Sequence, residues 1–221
     1  MKAMILAAGK GARMRPVTDT LPKPLLKVGG KALIRRQVER LVAAGVRDIV
    51  VNCALHGEQI EGELGDGSAL GAAVSYSHEG TEPLETGGGV LKALPLLGAA
   101  PFIVANADLW TDYPYIQLSG APQGLAHLVL VGNPPHHPWG DFTLRDGCVF
   151  LEGAPRYTFS GIGVYRPELF DDCAPGRFGL AAVLRHAIAQ GLVSGELYRG
   201  AWTDVGTPQR LAELNASLAA T

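Results

Sequence analysis

Two patterns of apolar residues alternate along this chain. Short continuous apolar runs, typical of buried strands, occupy 2–6, 49–51, 73–76, 102–104, 125–131 and 157–165. Apolar residues spaced three or four positions apart, typical of helices, occupy 31–44, 56–64, the stretch after 89, 178–189 and 208–218. Because strands and helices alternate, the pattern predicts an α/β fold with a mixed, mainly parallel sheet flanked by helices.

The stretch from 133 to 165 departs from this alternation. A Pro-rich loop leads into a hairpin in which Gly147 turns the chain between 142–144 and 148–150. We therefore expect one α/β domain over 1–221 with a small β-rich insertion at about 133–165.

The composition argues against several classes of protein. Of 221 residues, 47% are hydrophobic and 18% are charged, which is ordinary for a globular domain. A formal net charge of −2 argues against a general nucleic-acid or anionic-membrane surface. No apolar run approaches the roughly 20 residues of a membrane span. Three widely spaced cysteines fit no zinc motif, and without an N-terminal signal segment they indicate a reducing cytoplasm.

The first strand runs directly into a loop, 6–16, that contains two glycines and three cations. Glycines let backbone N–H groups approach a ligand closely, and nearby arginine and lysine favour an anion. The dinucleotide pattern G-x-G-x-x-G is excluded because position 14 is Met14, and no Gly-Lys-Ser/Thr tripeptide is present. The loop therefore predicts a phosphate site at the carboxyl end of the first strand. A turn without a ligand is the alternative.

Further candidate residues follow the other predicted strands. Lys23 stands between two prolines, which predicts an extended and ordered segment. Asn52 ends the second strand and could contact a base or ribose, or only shape a turn. Asp108 follows the fourth strand, where a carboxylate could hold Mg²⁺ beside phosphates or cap a loop. Asp204 is a second aspartate in a Gly-bounded loop.

Several glycines and two adjacent histidines are weaker indications of a binding site. Three glycines beside a helix start, 87–89, permit close approach of a flat ligand or its phosphates, or form a flexible turn. Gly161 and Gly163 lie within a strand, where glycine often marks close approach of a ligand. His136 and His137 do not predict a metal site, since adjacent side chains on an extended chain point apart.

Taken together, these segments resemble a known family. Residues 6–16 with Pro22-Lys23-Pro24 are similar to the signature of nucleotidyltransferases that make NDP-sugars, and the resemblance continues through 82–87, 106–108 and 202–208. That family has a Rossmann-like nucleotide-binding domain and joins a nucleoside triphosphate to a sugar 1-phosphate, with Mg²⁺ and release of pyrophosphate. The resemblance implies a nucleotide-binding part at about 1–132 and 166–221 and a sugar-binding part at about 133–165.

The resemblance also implies roles for individual residues. The expected catalytic residues are Arg13, Lys23, Asp108 and Asp204, of which the two aspartates would coordinate Mg²⁺. The expected nucleotide contacts are Gly11, Ala12, Arg13, Lys23, Asn52, Glu85, Gly87 and Asn106, with Arg15 assisting. The expected sugar contacts are Gly140, Asp141, Glu152, Ser160 and Thr203. Two departures are notable: Ala12 replaces a usual Ser or Thr, and Ala107 replaces a usual Gly.

The sequence offers no Ser-His-Asp or Cys-His arrangement, and this chemistry does not need one. A phosphate monoester has a second pKa of about 6, so the attacking oxygen of a sugar 1-phosphate is already ionised at neutral pH. Catalysis then reduces to alignment of the two substrates and neutralisation of charge as pyrophosphate leaves.

Within the family, residues 85–89, 140–142 and 159–161 and the short length most resemble members that use UTP and N-acetylmuramic acid 1-phosphate in bacterial peptidoglycan recycling. The alternatives are a mannose 1-phosphate guanylyltransferase, another hexose relative, or a sugar-nucleotide-binding subunit without turnover. The lactyl carboxylate of N-acetylmuramic acid requires a cation or N–H donors, for which Arg156 and Arg199 are both candidates. We expect no nucleic-acid or membrane partner, and a monomer or weak homodimer.

Overall fold

The computed structural model describes residues 1–120 and 122–220. Its helices are α1 (Leu33–Ala43), α2 (Gly57–Leu64), α3 (Glu85–Leu97), α4 (Leu180–Ala189) and α5 (Pro208–Ala219). The first seven strands are β1 (Lys2–Leu6), β2 (Lys27–Val28), β3 (Lys31–Ala32), β4 (Asp48–Cys53), β5 (Ala73–His78), β6 (Phe102–Asn106) and β7 (Leu109–Thr111). The remaining strands are β8 (Ala126–Val131), β9 (Phe142–Arg145), β10 (Cys148–Phe150), β11 (Arg156–Tyr165), β12 (Val193–Tyr198) and β13 (Trp202–Asp204).

Within these residues the main sheet has nine strands in the order β5-β4-β1-β6-β11-β8-β12-β10-β9. The first four are parallel, and β10 and β11 run against the direction that the other strands share. Parallel strands are covered on both faces, which explains why β1, β4 and β6 read as nearly continuous apolar runs. The predicted α/β fold with a mixed, mainly parallel sheet is confirmed.

Helices cover both faces of the sheet. On one face α1 packs Ile34, Val38 and Leu41 against residues such as Ile5 and Val51 of the parallel strands. On the other face α3 and α4 pack a second apolar cluster whose members include Val90, Leu97, Leu184 and Ile188. Side chains on each helix are buried at a spacing of three or four, as the periodicity predicts.

The stretch 133–165 supplies strands of the main sheet itself. Strand β11 lies between β6 and β8, and β9 pairs with both β10 and β11. A register shift between Phe159 and Ile162 bends β11 near its middle. The segment is thus continuous with the rest of the main sheet through β11.

The sequence patterns missed several short elements. Strands β7 and β13 form a separate antiparallel pair that joins Leu109 to Asp204, although residues 198–208 read as a loop. The predicted extended segment around Lys23 is wrong, because Lys23–Leu25 forms a 3₁₀ turn after Pro22. A proline in the first turn of a helix loses no backbone hydrogen bond, so Pro24 is compatible with that turn.

No helix among the described residues combines the length and the apolar character that crossing a bilayer would require.

Candidate active site

A cavity of about 320 Å³ opens where β1, β4 and β6 end. The carboxyl ends of parallel strands meet at one edge of the sheet, so the loops that follow them share this cavity. Eight residues predicted from the sequence line it: Gly11, Ala12, Arg13, Lys23, Asn52, Glu85, Asn106 and Asp108.

The loop after β1 is held by short-range contacts. Gly11 has φ +61, and its carbonyl accepts hydrogen bonds from Met14 N (2.8 Å) and Thr18 Oγ1 (2.9 Å). Met14 is buried in an apolar cluster with Leu26 and Leu33, which anchors the far end of the loop. A side chain at Gly11 would be strained by the left-handed φ and would press on Thr18.

The two arginines of this loop differ. Arg13 is exposed, lines the cavity and makes no hydrogen bond or ion pair among residues 1–120 and 122–220. Arg15 instead pairs with Asp19 at 3.1 Å and does not line the cavity. The guanidinium available to an anion in this cavity is therefore that of Arg13.

Lys23 and Asp108 form an ion pair on the floor of the cavity. Their side chains are only 11% and 26% exposed, so water screens this pair less than a surface pair. Lys23 is positioned by the 3₁₀ turn Lys23–Leu25, which follows Pro22. Asp108 lies two residues after the end of β6. The pair brings together the two charged groups that the sequence assigned to phosphate and metal.

Asp204 lies next to Asp108 through the backbone. Val205 N donates to Asp108 O at 2.9 Å, and Asp204 faces Leu109 across the β7–β13 pair. The carboxylate of Asp204 is hydrogen-bonded to Arg210, and His136 Nε2 lies 3.0 Å from it. Asp204 does not itself line the cavity, although its neighbour Gly206 does.

The donor set therefore suits a hard divalent cation. Asp108, in the turn between β6 and β7, and Asp204, at the end of β13, offer carboxylate oxygens beside a cavity that also presents Arg13. Mg²⁺ is typically bound by one or two carboxylates together with substrate phosphates, which matches this arrangement.

Asn52 lines the cavity, but its amide is occupied by protein partners. Its Oδ1 accepts from Ala7 N (2.7 Å), and its Nδ2 donates to Glu79 Oε1 (2.6 Å). Glu79, which the sequence patterns missed, also accepts from Leu84 N at 2.6 Å. Since both side chains are buried, this network ties the loop after β1 to the start of α3.

The glycines at 87–89 accommodate protein rather than a ligand. They lie inside α3, and an added Cβ would come within 2.5 Å of Phe178 at Gly87, 2.1 Å of Gly176 O at Gly88 and 2.5 Å of Glu79 at Gly89. Gly87 does not line the cavity. The sequence predicted close approach of a flat ligand or its phosphates there, whereas the groups that approach these glycines in the structure are protein side chains and backbone. Glu85 does line the cavity and accepts from Arg177 Nε at 3.0 Å.

The predicted sugar residues lie outside this cavity. Ser160 is 1% exposed, and its hydroxyl donates to Val129 O at 2.7 Å at the bend in β11. The hydroxyl is therefore not accessible to a substrate. Asp141 accepts from Phe159 N at 2.8 Å. Gly140 packs on Tyr157, Glu152 is exposed, and Thr203 pairs with Trp110. Their backbone and side-chain contacts shape the neighbourhood of the site.

A second cavity of about 420 Å³ lies at the ends of β8 and β12. Its lining includes Asn133, Tyr157, Tyr198, Arg199 and Trp202, of which the sequence singled out only Arg199. The two cavities are linked through β11. Trp202, which lines the second cavity, donates from Nε1 to Ser160 O at 3.0 Å. Asn106, which lines the first cavity, packs so closely on Gly161 that an added Cβ there would lie 2.5 Å from Asn106 Nδ2.

One polar cluster lies outside the residues lining either cavity. Cys53 Sγ is 3.3 Å from His78 Nδ1, and one oxygen of Glu61 completes a group whose atoms lie within 4.8 Å of one another. Burial, followed by the nearby carboxylates, raises the pKa of the Cys53 thiol to about 11. The thiol is therefore neutral at physiological pH and is a poor nucleophile.

Comparison with known proteins identifies the family. A model of the nucleotidyl transferase family matches residues 2–142, which carry the loop after β1, Lys23, Asn52 and Asp108. The chain belongs to this family.

Two relatives match this nucleotidyltransferase over nearly their whole length, and a third matches over part of its length. N-acetylmuramate alpha-1-phosphate uridylyltransferase of Neisseria meningitidis serogroup B is 52% identical over 98% of this chain and 97% of its own length. The protein of the same name from Caulobacter vibrioides is 36% identical over 98% and 96%. A mannose-1-phosphate guanylyltransferase catalytic subunit beta of Drosophila pseudoobscura pseudoobscura is 31% identical over 94% of this chain and 60% of its own length.

Solved structures share the fold. The crystal structure of HddC from Yersinia pseudotuberculosis complexed with GMP-PN superposes with a TM-score of 0.82, covers 98% of this chain and 99% of its own, and is 21% identical. At that identity the likeness concerns the architecture of the nucleotidyltransferase alone.

The two departures from the usual signature keep every charged group. Ala12 is exposed at the cavity and leaves no hydroxyl for a phosphate there. Ala107 is buried, and its N–H donates to Leu6 O at 3.0 Å, so its methyl group is accommodated in the core. The nucleotidyltransferase thus retains Arg13, Lys23 and Asp108 at its cavity.

Proposed function

We propose that this nucleotidyltransferase joins UTP to N-acetylmuramic acid 1-phosphate, giving UDP-N-acetylmuramic acid and pyrophosphate. The observation that carries the proposal is the cavity containing Arg13, Lys23 and Asp108, in a chain 52% identical over nearly its whole length to a uridylyltransferase of that specificity. Its proposed place is the recycling of peptidoglycan sugars in the cytoplasm, where UTP is available. We propose a monomer or weak homodimer.

The proposed reaction is an in-line attack of the sugar phosphate on the α-phosphorus of UTP. The attacking oxygen is ionised at neutral pH, so no side chain has to remove a proton. Lys23, buried beside Asp108, is suited to lie between the two phosphates and to reduce their mutual repulsion. Arg13, which has no partner among the described residues, is suited to neutralise the leaving pyrophosphate.

The same proposal assigns Mg²⁺ to Asp108 and Asp204. The carboxylate of Asp108, just before β7, and that of Asp204, at the end of β13, fit its preference for oxygen ligands. When bound, the ion adds positive charge that stabilises the transferring phosphoryl group. To coordinate Mg²⁺, the carboxylate of Asp204 would have to share or give up its hydrogen bond from Arg210.

Two alternatives come from the same fold. A mannose 1-phosphate guanylyltransferase is supported by the more distant relative at 31% identity. A binding subunit without turnover would not need both aspartates and Lys23, which this chain keeps together.

The test supplies each nucleoside triphosphate in turn with a panel of sugar 1-phosphates, Mg²⁺ and pyrophosphatase, and measures the phosphate released. The proposal expects the highest kcat/KM with UTP and N-acetylmuramic acid 1-phosphate. Faster turnover of GTP with mannose 1-phosphate would overturn the assignment in favour of a guanylyltransferase. No phosphate release with any pair would favour the binding subunit.

A further inference from the structure

We infer that Arg199 makes the second cavity a carboxylate-binding subsite, which selects sugar 1-phosphates that carry an acidic substituent. The inference rests on the proposed function and deepens it, because it assigns the part of the sugar that distinguishes the substrate from N-acetylglucosamine 1-phosphate.

The cavity has the size and walls of a small-ligand subsite. Its volume of about 420 Å³ falls in the range of small-molecule pockets. Tyr157, Tyr198 and Trp202 give it broad aromatic surfaces, and Asn133 contributes an amide. Burial raises the pKa of Tyr198 to about 12, so this part of the wall is a neutral phenol whose hydroxyl donates to Asp112.

Arg199 brings a positive charge that the rest of the described structure does not neutralise. It is exposed, lines the cavity and makes no hydrogen bond or ion pair with residues 1–120 or 122–220. The acidic side chains on adjoining elements bind tyrosine hydroxyls, Asp112 that of Tyr198 and Glu196 that of Tyr113, and neither forms an ion pair with Arg199. A planar guanidinium in this state is suited to bind a carboxylate through two parallel hydrogen bonds.

Arg156, the other candidate from the sequence, is already occupied. Its guanidinium donates to Leu151 O at 2.8 Å and to Asp141 O at 2.6 Å, and so fixes the loop before β11. Arg156 also does not line the second cavity. The structure therefore separates two arginines that the sequence could not distinguish.

The position of Arg199 suits a group remote from the phosphates. Trp202 stands between it and Asp204 in the chain, and bonds Ser160 in the segment that separates the two cavities. The lactyl ether and the phosphate occupy different carbons of the sugar ring. A cation for the carboxylate should accordingly lie apart from Lys23 and Arg13, as Arg199 does.

The test compares N-acetylmuramic acid 1-phosphate, its lactyl methyl ester, and N-acetylglucosamine 1-phosphate as acceptors for the wild type, Arg199→Gln and Arg199→Lys. Arg47→Gln is the matched control, because Arg47 is exposed just before the amino end of β4, away from both cavities. We expect Arg199→Gln to raise KM for N-acetylmuramic acid 1-phosphate about 10- to 100-fold, in line with loss of a charge-assisted hydrogen-bond pair. The value of kcat should change little, because the contact is the same in the ground state and the transition state.

The ester separates recognition from a structural effect. Replacing N-acetylmuramic acid 1-phosphate by its methyl ester should lower kcat/KM of the wild type by the same factor as the Arg199→Gln substitution does with the unmodified acceptor. For Arg199→Gln itself, the methyl ester should lower kcat/KM no further. Arg199→Lys should give an intermediate KM, because lysine keeps the positive charge but lacks the planar guanidinium that donates two parallel hydrogen bonds. Equal losses on all three acceptors, or no loss on the acid, would overturn the inference.

Failure of the proposed function gives a different result. If the wild type prefers an acceptor without a carboxylate, the proposed substrate and the subsite are both overturned. If the wild type prefers N-acetylmuramic acid 1-phosphate and Arg199→Gln keeps that preference, the subsite alone is overturned.

Discussion

The two cavities are built in opposite ways. The nucleotide cavity is lined by loops that directly follow the parallel strands β1, β4 and β6, so its residues lie in short contiguous motifs. The second cavity gathers residues from the ends of β8 and β12 and from β11 and β13, across a mixed part of the sheet. Under the proposed assignment, the residues for the shared phosphate chemistry are encoded locally, whereas those for the sugar depend on long-range packing.

The largest test of this division is Lys23→Ala. We expect kcat to fall about a thousandfold with any accepted sugar, because the variant removes a buried cation from developing phosphate charge. Pyrophosphate release measured with two acceptors checks this result. A change in the ratio of kcat/KM between the acceptors would contradict it, since Lys23 belongs to the shared chemistry and Arg199 to sugar selection.

The aspartates test whether Asp108, which lines the nucleotide cavity, and Asp204, which lines neither cavity, hold one metal ion. Asp108→Asn and Asp204→Asn should each lower kcat about a hundredfold and raise the Mg²⁺ concentration needed for half-maximal rate, because a carboxylate ligand becomes a neutral amide. A magnesium titration at fixed UTP measures this shift. A normal titration curve for either variant would remove that residue from the site, and unchanged thermal unfolding would show that the fold is retained.

The Asn52–Glu79 network tests how the nucleotide half is held. Asn52→Ala leaves Ala7 N and Glu79 Oε1 without their buried partner, so we expect a loss of about 2–4 kcal/mol in the free energy of unfolding. Urea denaturation measures it, and Gln209→Ala on the exposed face of α5 serves as the control. A loss below about 0.5 kcal/mol would mean that water replaces the network.

The smallest effect concerns Cys53, which lines neither cavity. Because burial raises its pKa from 9.0 to about 11, its thiolate fraction at pH 7.5 should be about a hundredfold below that of an unperturbed thiol. Iodoacetamide should therefore label exposed Cys148 first and leave activity unchanged. Mass spectrometry of the labelled peptides measures the order, and labelling of Cys53 that rises tenfold per pH unit up to about pH 11 would support the raised pKa.

The difference between the cavities also explains what sequence reasoning found. The apolar runs predicted β1, β4 and β6 because a buried parallel strand needs apolar side chains on both faces. The phosphate loop, Lys23 and Asp108 followed, because each stands just after such a strand or in a proline frame. Fold class and nucleotide residues were therefore accessible to local patterns.

Residues that depend on distant partners were not accessible. Glu79 belongs to no motif in the sequence, and only its contacts with Asn52 and Leu84 N reveal a buried role. The glycines at 87–89 signalled a close approach, but the sequence does not say that Phe178, Gly176 and Glu79 make it. Ser160 fitted a sugar motif, although the bend in β11 uses its hydroxyl inside the sheet.

The β7–β13 pair has a consequence for the order in which the enzyme gains its properties during synthesis. The phosphate loop, Lys23 and Asp108 leave the ribosome early, whereas Asp204 and its partner Arg210 come from β13 and α5 near the other end of the described chain. An interrupted translation product that lacks them keeps the cations for a nucleotide and only one of the two carboxylates. Because Val205 and Leu214 pack in the same apolar cluster as Met14 and Leu33, such a product also lacks part of the packing that anchors the loop after β1. The anchor of that loop and the carboxylate of Asp204 are therefore completed by the same late segment of the chain.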